Sequence, residues 1–187
     1  MKERGKPEII SAILMLLGAI EGGPLRAELL ETPYRVQKAL EEMLDGYGTD
    51  IDDIIKVFDG EGKDQIIIVK DIHAWSYCEH HLLPFSIKVA VGYLPKERVL
   101  GVSKIERLVL AFAHRLQLQE RITEQVARTL MNKLQPYGVA VVAEGEHLCM
   151  RCRGIKSKDS KVVTSIMLGA FREDATLRLE FLSLLGK

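Results

Sequence analysis

The chain has 187 residues, a length that fits one domain or one domain with an appendage. Its 47% hydrophobic content supports a real core, while Lys+Arg and Asp+Glu stand at 26 each, so overall charge argues for neither nucleic acid nor a membrane surface. Three cysteines make no disulfide framework and point to a reducing, cytoplasmic setting.

The apolar run Ile9 to Ile20 follows Lys2, Arg4 and Lys6 and faintly resembles a signal peptide. It is too short to span a bilayer, and Glu21 interrupts any cleavage pattern. Ile9, Ile13, Leu16, Leu17 and Ile20 fall at helical spacing, so a helix opened by Pro7 and closed by Gly22-Gly23-Pro24 is expected. Thr32 as N-cap and Pro33 at the first helical position open a second helix, ending at Gly46. Arg35 lies in its first turn, where a cation opposes the helix dipole; it is either a surface residue or one held to meet an anion.

A loop rich in glycine and charge runs from Asp59 to Asp64. Ile66 to Val69 reads as a buried strand continuing toward Trp75, and Phe85 to Tyr93 as a second, with Ile87, Val89 and Val91 on one face. Ser103-Lys104-Ile105-Glu106 has the form of a capping box, opening a helix with Ile105, Leu108, Val109 and Phe112 as its stripe. Another helix runs from about Gln119 to Pro136. Val139 to Cys149 is a third strand whose period of two puts His147, Cys149, Arg151 and Arg153 on one face. Val162 to Leu168 is a fourth, and Asp174 caps a last helix. This order is α+β, with helices covering one face of a mostly antiparallel sheet.

The chemistry concentrates in Cys78-Glu79-His80-His81 and His147-Leu148-Cys149. Cys78, His81 and Cys149 offer two sulfurs and one nitrogen to a zinc ion that keeps a position open for water, leaving His80 and His147 as candidates for moving protons. A rival uses Cys152 as well, closing a four-ligand structural site. Strand geometry favours the open site, because Cys149 and Cys152 point to opposite faces unless the chain turns between them. Ser103, Lys104 and Arg107 at a helix start suit a phosphate, and Glu120 beside Gln119 suits the N–H edge of a purine or pterin.

The segments CEHHLLPF, GVSKIERLV, RLQLQERIT, HLCMRCRG and TSIMLGAFRED, in this order, resemble GTP cyclohydrolase I from about Leu29 to Leu182. The resemblance implies a single domain over residues 1–187, with an N-terminal helical segment (1–50) and a catalytic core (51–187) of tunnelling fold. In that fold four-stranded antiparallel sheets from several subunits form a barrel with helices outside, and the resemblance implies the family's assembly, a toroidal homodecamer with active sites between subunits. It implies conversion of GTP and water to formate and 7,8-dihydroneopterin triphosphate. Carried over by motif, Cys78, His81 and Cys149 become zinc ligands and His80 and His147 the acid/base pair. Glu120 with Gln119 anchors guanine, Ser103 lies near the ribose, and Arg35, Lys104, Arg107 and Arg153 hold the triphosphate. Cys152 matches no family ligand, which tilts the metal question toward the open site, and Arg151 matches no functional position. Ile87, Ala90 and the segment Gly22 to Leu29 depart from the family's usual residues. Two other classes are alternatives: a non-catalytic zinc-stabilised nucleotide-binding module, and a different tunnelling-fold enzyme acting on a pterin or deazapurine, against which the intact Cys-x-x-His and His-x-Cys groups argue.

Overall fold

A computed structural model describes residues 6–60 and 65–186; Lys2, Arg4 and loop residues 61–64 lie outside the described residues. The chain divides into two compact units, Met1–Asp45 and Gly46–Lys187.

The first unit holds α1 (Pro7–Glu21), a 3-10 turn (Ala27–Leu29) and α2 (Thr32–Met43). Gly22, at φ 70°, ends α1 by donating its N–H to the Gly18 carbonyl, a conformation glycine adopts without penalty. The second helix starts one residue earlier than expected. Glu31 is its N-cap, without a side-chain cap bond, and its carbonyl accepts from the Arg35 N–H at 3.2 Å, so Thr32 is already helical. The helix also ends at Met43, short of Gly46.

The second unit opens with α3 (Ile51–Ile54), capped by the Asp50 carboxylate, and β1 (Val57–Asp59). There follow β2 (Ile67–Cys78), β3 (Leu83–Leu94), β4 (Arg98–Leu100), α4 (Val102–Ala113), β5 (Leu116–Gln117) and α5 (Gln119–Leu134). The chain finishes with β6 (Gly138–His147), α6 (Leu148–Arg151), β7 (Val162–Gly169), α7 (Ala170–Glu173) and α8 (Ala175–Leu184). The main sheet has the order β5-β2-β3-β6-β7, and β1 pairs with β4 separately. Its four long strands are antiparallel, as expected; β5 adds a two-residue parallel edge on Tyr77 and Cys78.

One face carries Ile87, Val89 and Val91 from β3 and Val139 and Val141 from β6. It meets the stripes of α4 (Ile105, Leu108, Phe112) and α5 (Ile122, Val126, Leu130), and burial of these side chains makes the principal core. A smaller core lies on the other face, where Ala140 and Val142 meet Phe171 and Phe181, so α7 and α8 add a second helical layer beyond the one expected. Phe171 and Phe181 pack edge to face with centroids 5.6 Å apart. Gly92 is required beneath them: a Cβ there would meet the Phe181 ring at 2.6 Å.

The expected capping box does not form. Gly101 is the N-cap of α4, and its carbonyl accepts from the Lys104 N–H at 2.8 Å, which starts the first turn early and leaves Ser103 inside the helix with an exposed side chain. The end of β6 also differs from expectation. Extended backbone stops at His147, and the chain coils into α6, so Cys149, Arg151 and Arg153 do not continue the alternation of the strand.

Phe181 is fully buried. Phe181→Ala is expected to cost about 3–5 kcal/mol, read as a lower denaturant midpoint with unchanged slope.

Candidate metal and catalytic site

The site is built where β2 ends and β3 begins. Cys78 is the last residue of β2, and its carbonyl accepts from the N–H of His81 at 3.2 Å and of Leu82 at 2.9 Å. Leu82 sits at φ 53°, a left-handed conformation that costs a non-glycine residue roughly 1 kcal/mol. The tight turn folds His81 back over Cys78, bringing its Nδ1 to 3.6 Å from the Cys78 Sγ. The turn is anchored through Glu79, by both its backbone and its side chain. The Glu79 N–H donates to the Gln117 carbonyl of β5 at 3.2 Å. The Glu79 carboxylate takes a two-pronged hydrogen bond from Arg121 on the first turn of α5, one arm of it Nη2 to Oε1 at 3.0 Å. That guanidinium holds the Glu79 carboxyl below the usual carboxylate range.

Cys149 comes from the first turn of α6. One ligand atom each from Cys78, His81 and Cys149 lies within 4.8 Å of the others, a group that could hold a metal ion. Burial, and then the neighbouring Cys78 sulfur, push the Cys149 thiol up; the Arg153 guanidinium opposes them. Two sulfurs that disfavour each other's charge, with one imidazole, suit a divalent ion of borderline softness and are poor partners for calcium or magnesium. Cys152 takes no part in this group. The turn that sequence spacing left open does occur, yet it points the exposed Cys152 thiol back to donate to the Leu148 carbonyl at 2.9 Å.

His147 ends β6 directly opposite Phe85 in the register of β3. The two rings stack at 4.3 Å with 7° between their planes. His147 Nε2 lies 2.9 Å from the Oε1 of Gln119. Burial pushes its pKa down, and the charge of Glu120 opposes this. His80 is exposed on the turn and meets His81 edge to face with centroids 6.1 Å apart.

Gln119 was expected beside guanine, but its side chain faces the protein. It is only 1% exposed, and its amino group donates to the Ala143 and Val162 carbonyls at 3.1 and 2.9 Å and to Thr164 Oγ1 at 3.2 Å. With Oε1 against His147, the amide has no donor left for a ligand. Glu120 is exposed at an open recess of about 340 Å³ lined with Thr123, Glu124, Thr164, Ser165 and Ile166.

The four expected cations are spread over three elements. Lys104 and Arg107 stand with Ser103 on α4, Arg153 follows α6, and Arg35 belongs to α2 in the first unit. Arg151 is paired with Glu146. Three contributors escaped the sequence reading: Phe85, the Glu79–Arg121 clamp and Gly145. Only Gly145 had a visible signal, as an isolated glycine inside a strand, which marks a close approach. A Cβ there would meet Gln119 Oε1 at 2.2 Å.

Residues 9–186 match the model of the family described as GTP cyclohydrolase I. The chain is 48% identical over 182 residues to GTP cyclohydrolase 1 of Caldanaerobacter subterraneus, spanning 97% of each chain. It is 45% identical over 185 residues to the Homo sapiens protein of that name, covering 98% of this chain and 74% of that one. The Drosophila melanogaster protein is 46% identical over 182 residues; the match takes 96% of this chain but just over half, 56%, of the fly protein. Among solved structures, the archaeosine synthase QueF-Like in the apo form superposes with a TM-score of 0.48 at 17% identity, over 59% of this chain and 97% of that one, a likeness too low to bear on the assignment.

The two cysteines of the Cys149-x-x-Cys152 pair should separate by experiment. Cys149→Ser is expected to abolish bound metal in elemental analysis, whereas Cys152→Ser should keep the full content.

Proposed function

The chain belongs to the GTP cyclohydrolase I family, and we propose that its reaction, the conversion of GTP and water to formate and 7,8-dihydroneopterin triphosphate, takes place at the cluster of Cys78, His81, Cys149, His80 and His147. The observation that carries this reading is the S,S,N group within 4.8 Å, with the half-buried imidazole of His147 two residues from Cys149. The metal is proposed to be zinc, held by Cys78, His81 and Cys149. When bound, it supplies Lewis acidity that brings the pKa of a water toward about 7.

The remaining work falls to side chains. Glu120 offers a carboxylate to the N–H edge of guanine, in a recess large enough for a base. His147 delivers a proton to N7 as the imidazole ring of the substrate opens at C8. The exposed His80 relays protons to and from solvent during the second hydrolysis, which releases formate. Two waters are consumed and one is lost when the rearranged ribose recloses on the amine, so the net reaction uses one. Ser103 is placed near the ribose hydroxyls. Arg35, Lys104, Arg107 and Arg153 hold the triphosphate, giving binding energy away from the reacting centre.

These cations come from separate elements, which fits sites completed by neighbouring copies. We read the assembly as a tunnelling-fold homodecamer, with 1–50 and 51–187 as parts of one catalytic domain. The eight-residue β7 supports this, since the sheet of the single chain ends on it, and an edge of that length is normally covered or paired. Among the described residues no helix is long and apolar enough to cross a membrane, and all three cysteines are free; a cytoplasmic setting is the proposal consistent with both.

Incubation with GTP, followed by oxidation, should give pterin fluorescence together with formate; zinc and GTP binding without formate would refute the enzyme reading. A chelator should abolish the fluorescence and zinc should restore it. His147→Ala should keep zinc and bind GTP while slowing product formation about 10²- to 10⁴-fold.

A further inference from the structure

We propose that Gln119 is a positioning residue that holds His147 in a single tautomer, with the proton on Nε2, and so leaves Nδ1 as the nitrogen that exchanges a proton with the substrate. This rests on the acid/base role of His147 given above.

The amide of Gln119 can be oriented in only one way. On one side lie the carbonyl oxygens of Ala143 and Val162, at 3.1 and 2.9 Å. Carbonyls only accept, so the amino group must face them; the flipped amide would set three oxygens against one another. Thr164 Oγ1 at 3.2 Å accepts from the same amino group. The atom facing His147 Nε2 at 2.9 Å is therefore the carbonyl oxygen Oε1, which also only accepts. Nε2 must donate. A neutral imidazole has one N–H, so Nδ1 carries the lone pair. His147 can then take a proton at Nδ1 and return it without breaking its bond to Gln119.

Two further features fix the ring. Phe85, fully buried, sets its plane by stacking at 4.3 Å. Gly145 sets the approach of the amide, because any Cβ at that position would collide with Oε1 at 2.2 Å. Stacking restrains tilt and the hydrogen bond restrains rotation in the plane. Between them, the imidazole is placed before substrate arrives. A side-chain contact of Gln119 with guanine would need the same amide to abandon two buried carbonyls, at a cost of about 1–3 kcal/mol for each unsatisfied group.

The test compares two substitutions with His147→Ala on the zinc-loaded enzyme. Gln119→Met fills about the same volume but donates nothing and offers only a weakly accepting sulfur. It is expected to lower kcat for pterin formation roughly 10- to 100-fold, leaving KM for GTP within about twofold and zinc content unchanged. Gln119→Glu, once protonated on the oxygen that faces the carbonyls, restores the acceptor for His147 and should recover most of the lost kcat. Wild-type kcat in Gln119→Met, or a rise in KM alone, would overturn the proposal. Full activity in His147→Ala would instead remove the reading beneath it. If Gln119→Met loses zinc or fails to fold, nitrogen-15 NMR of the wild-type holoenzyme decides, with the His147 signals assigned by difference from His147→Ala. A protonated Nε2 and a bare Nδ1 support the proposal, and the reverse tautomer refutes it.

Discussion

The register of β3 is the constraint on which the site depends. This strand pairs with β2 from Leu83 to Tyr93, across a register irregularity at Ala90, and with β6 from Phe85 to Leu94. Its first residues face Cys78 on one side, through Leu83, and His147 on the other, through Phe85. Two segments some seventy residues apart in the chain are thus brought to the same end of one sheet. The register itself is held by the apolar alternation of Ile87, Val89 and Val91 against the helices, since a shift of one residue would turn that face outward. Core packing therefore places the ligand-bearing ends, and no contact between the motifs is needed to find one another.

Within that frame the histidines live in different dielectric surroundings. His80 and His81 ride on an exposed turn, whereas His147 lies flat on a buried phenylalanine and is pushed toward its neutral form. The nearby Glu120 works against this desolvation, so a charge proposed to bind the base also bears on the imidazole. The arrangement would suit a division of labour in the proposed acid/base chemistry, with one ring in contact with water and the other half-shielded from it. The Glu79–Arg121 pair is half-buried, and its value lies in geometry: it ties the turn carrying Cys78 and His81 to the first turn of α5, which carries Gln119 and Glu120.

Much of this was legible in the sequence because it is local. Helical spacing located α1, α4 and α5, and Asp174 does cap α8, accepting from Thr176 and Leu177. The spacing of Cys78 and His81 also gave the metal-capable turn, since residues three apart meet whenever the chain folds back. What escaped was non-local or turned on competition between neighbouring residues. The change from strand to helix after His147 has no glycine or proline to announce it. The start of α4 moved to Gly101 because a backbone bond closed the first turn before Ser103 could act as a cap. Gln119 beside Glu120 looked like half of a ligand contact. Its partners Ala143, Val162 and Thr164 lie 24 to 45 positions away, beyond the reach of any local rule.

The Gln119 amide also bridges β6 and β7, where Gly145 pairs with Val162 and Ala143 with Thr164. Slippage of β7 by two places would keep each side chain on its proper face, so hydrophobic patterning alone cannot reject the error. It would, however, set Val162 or Ile166 where Thr164 stands, opposite Ala143, and so remove the hydroxyl that accepts from the amino group at 3.2 Å. The amide proposed to orient the imidazole thus also favours the native register of β7, through one side-chain hydroxyl.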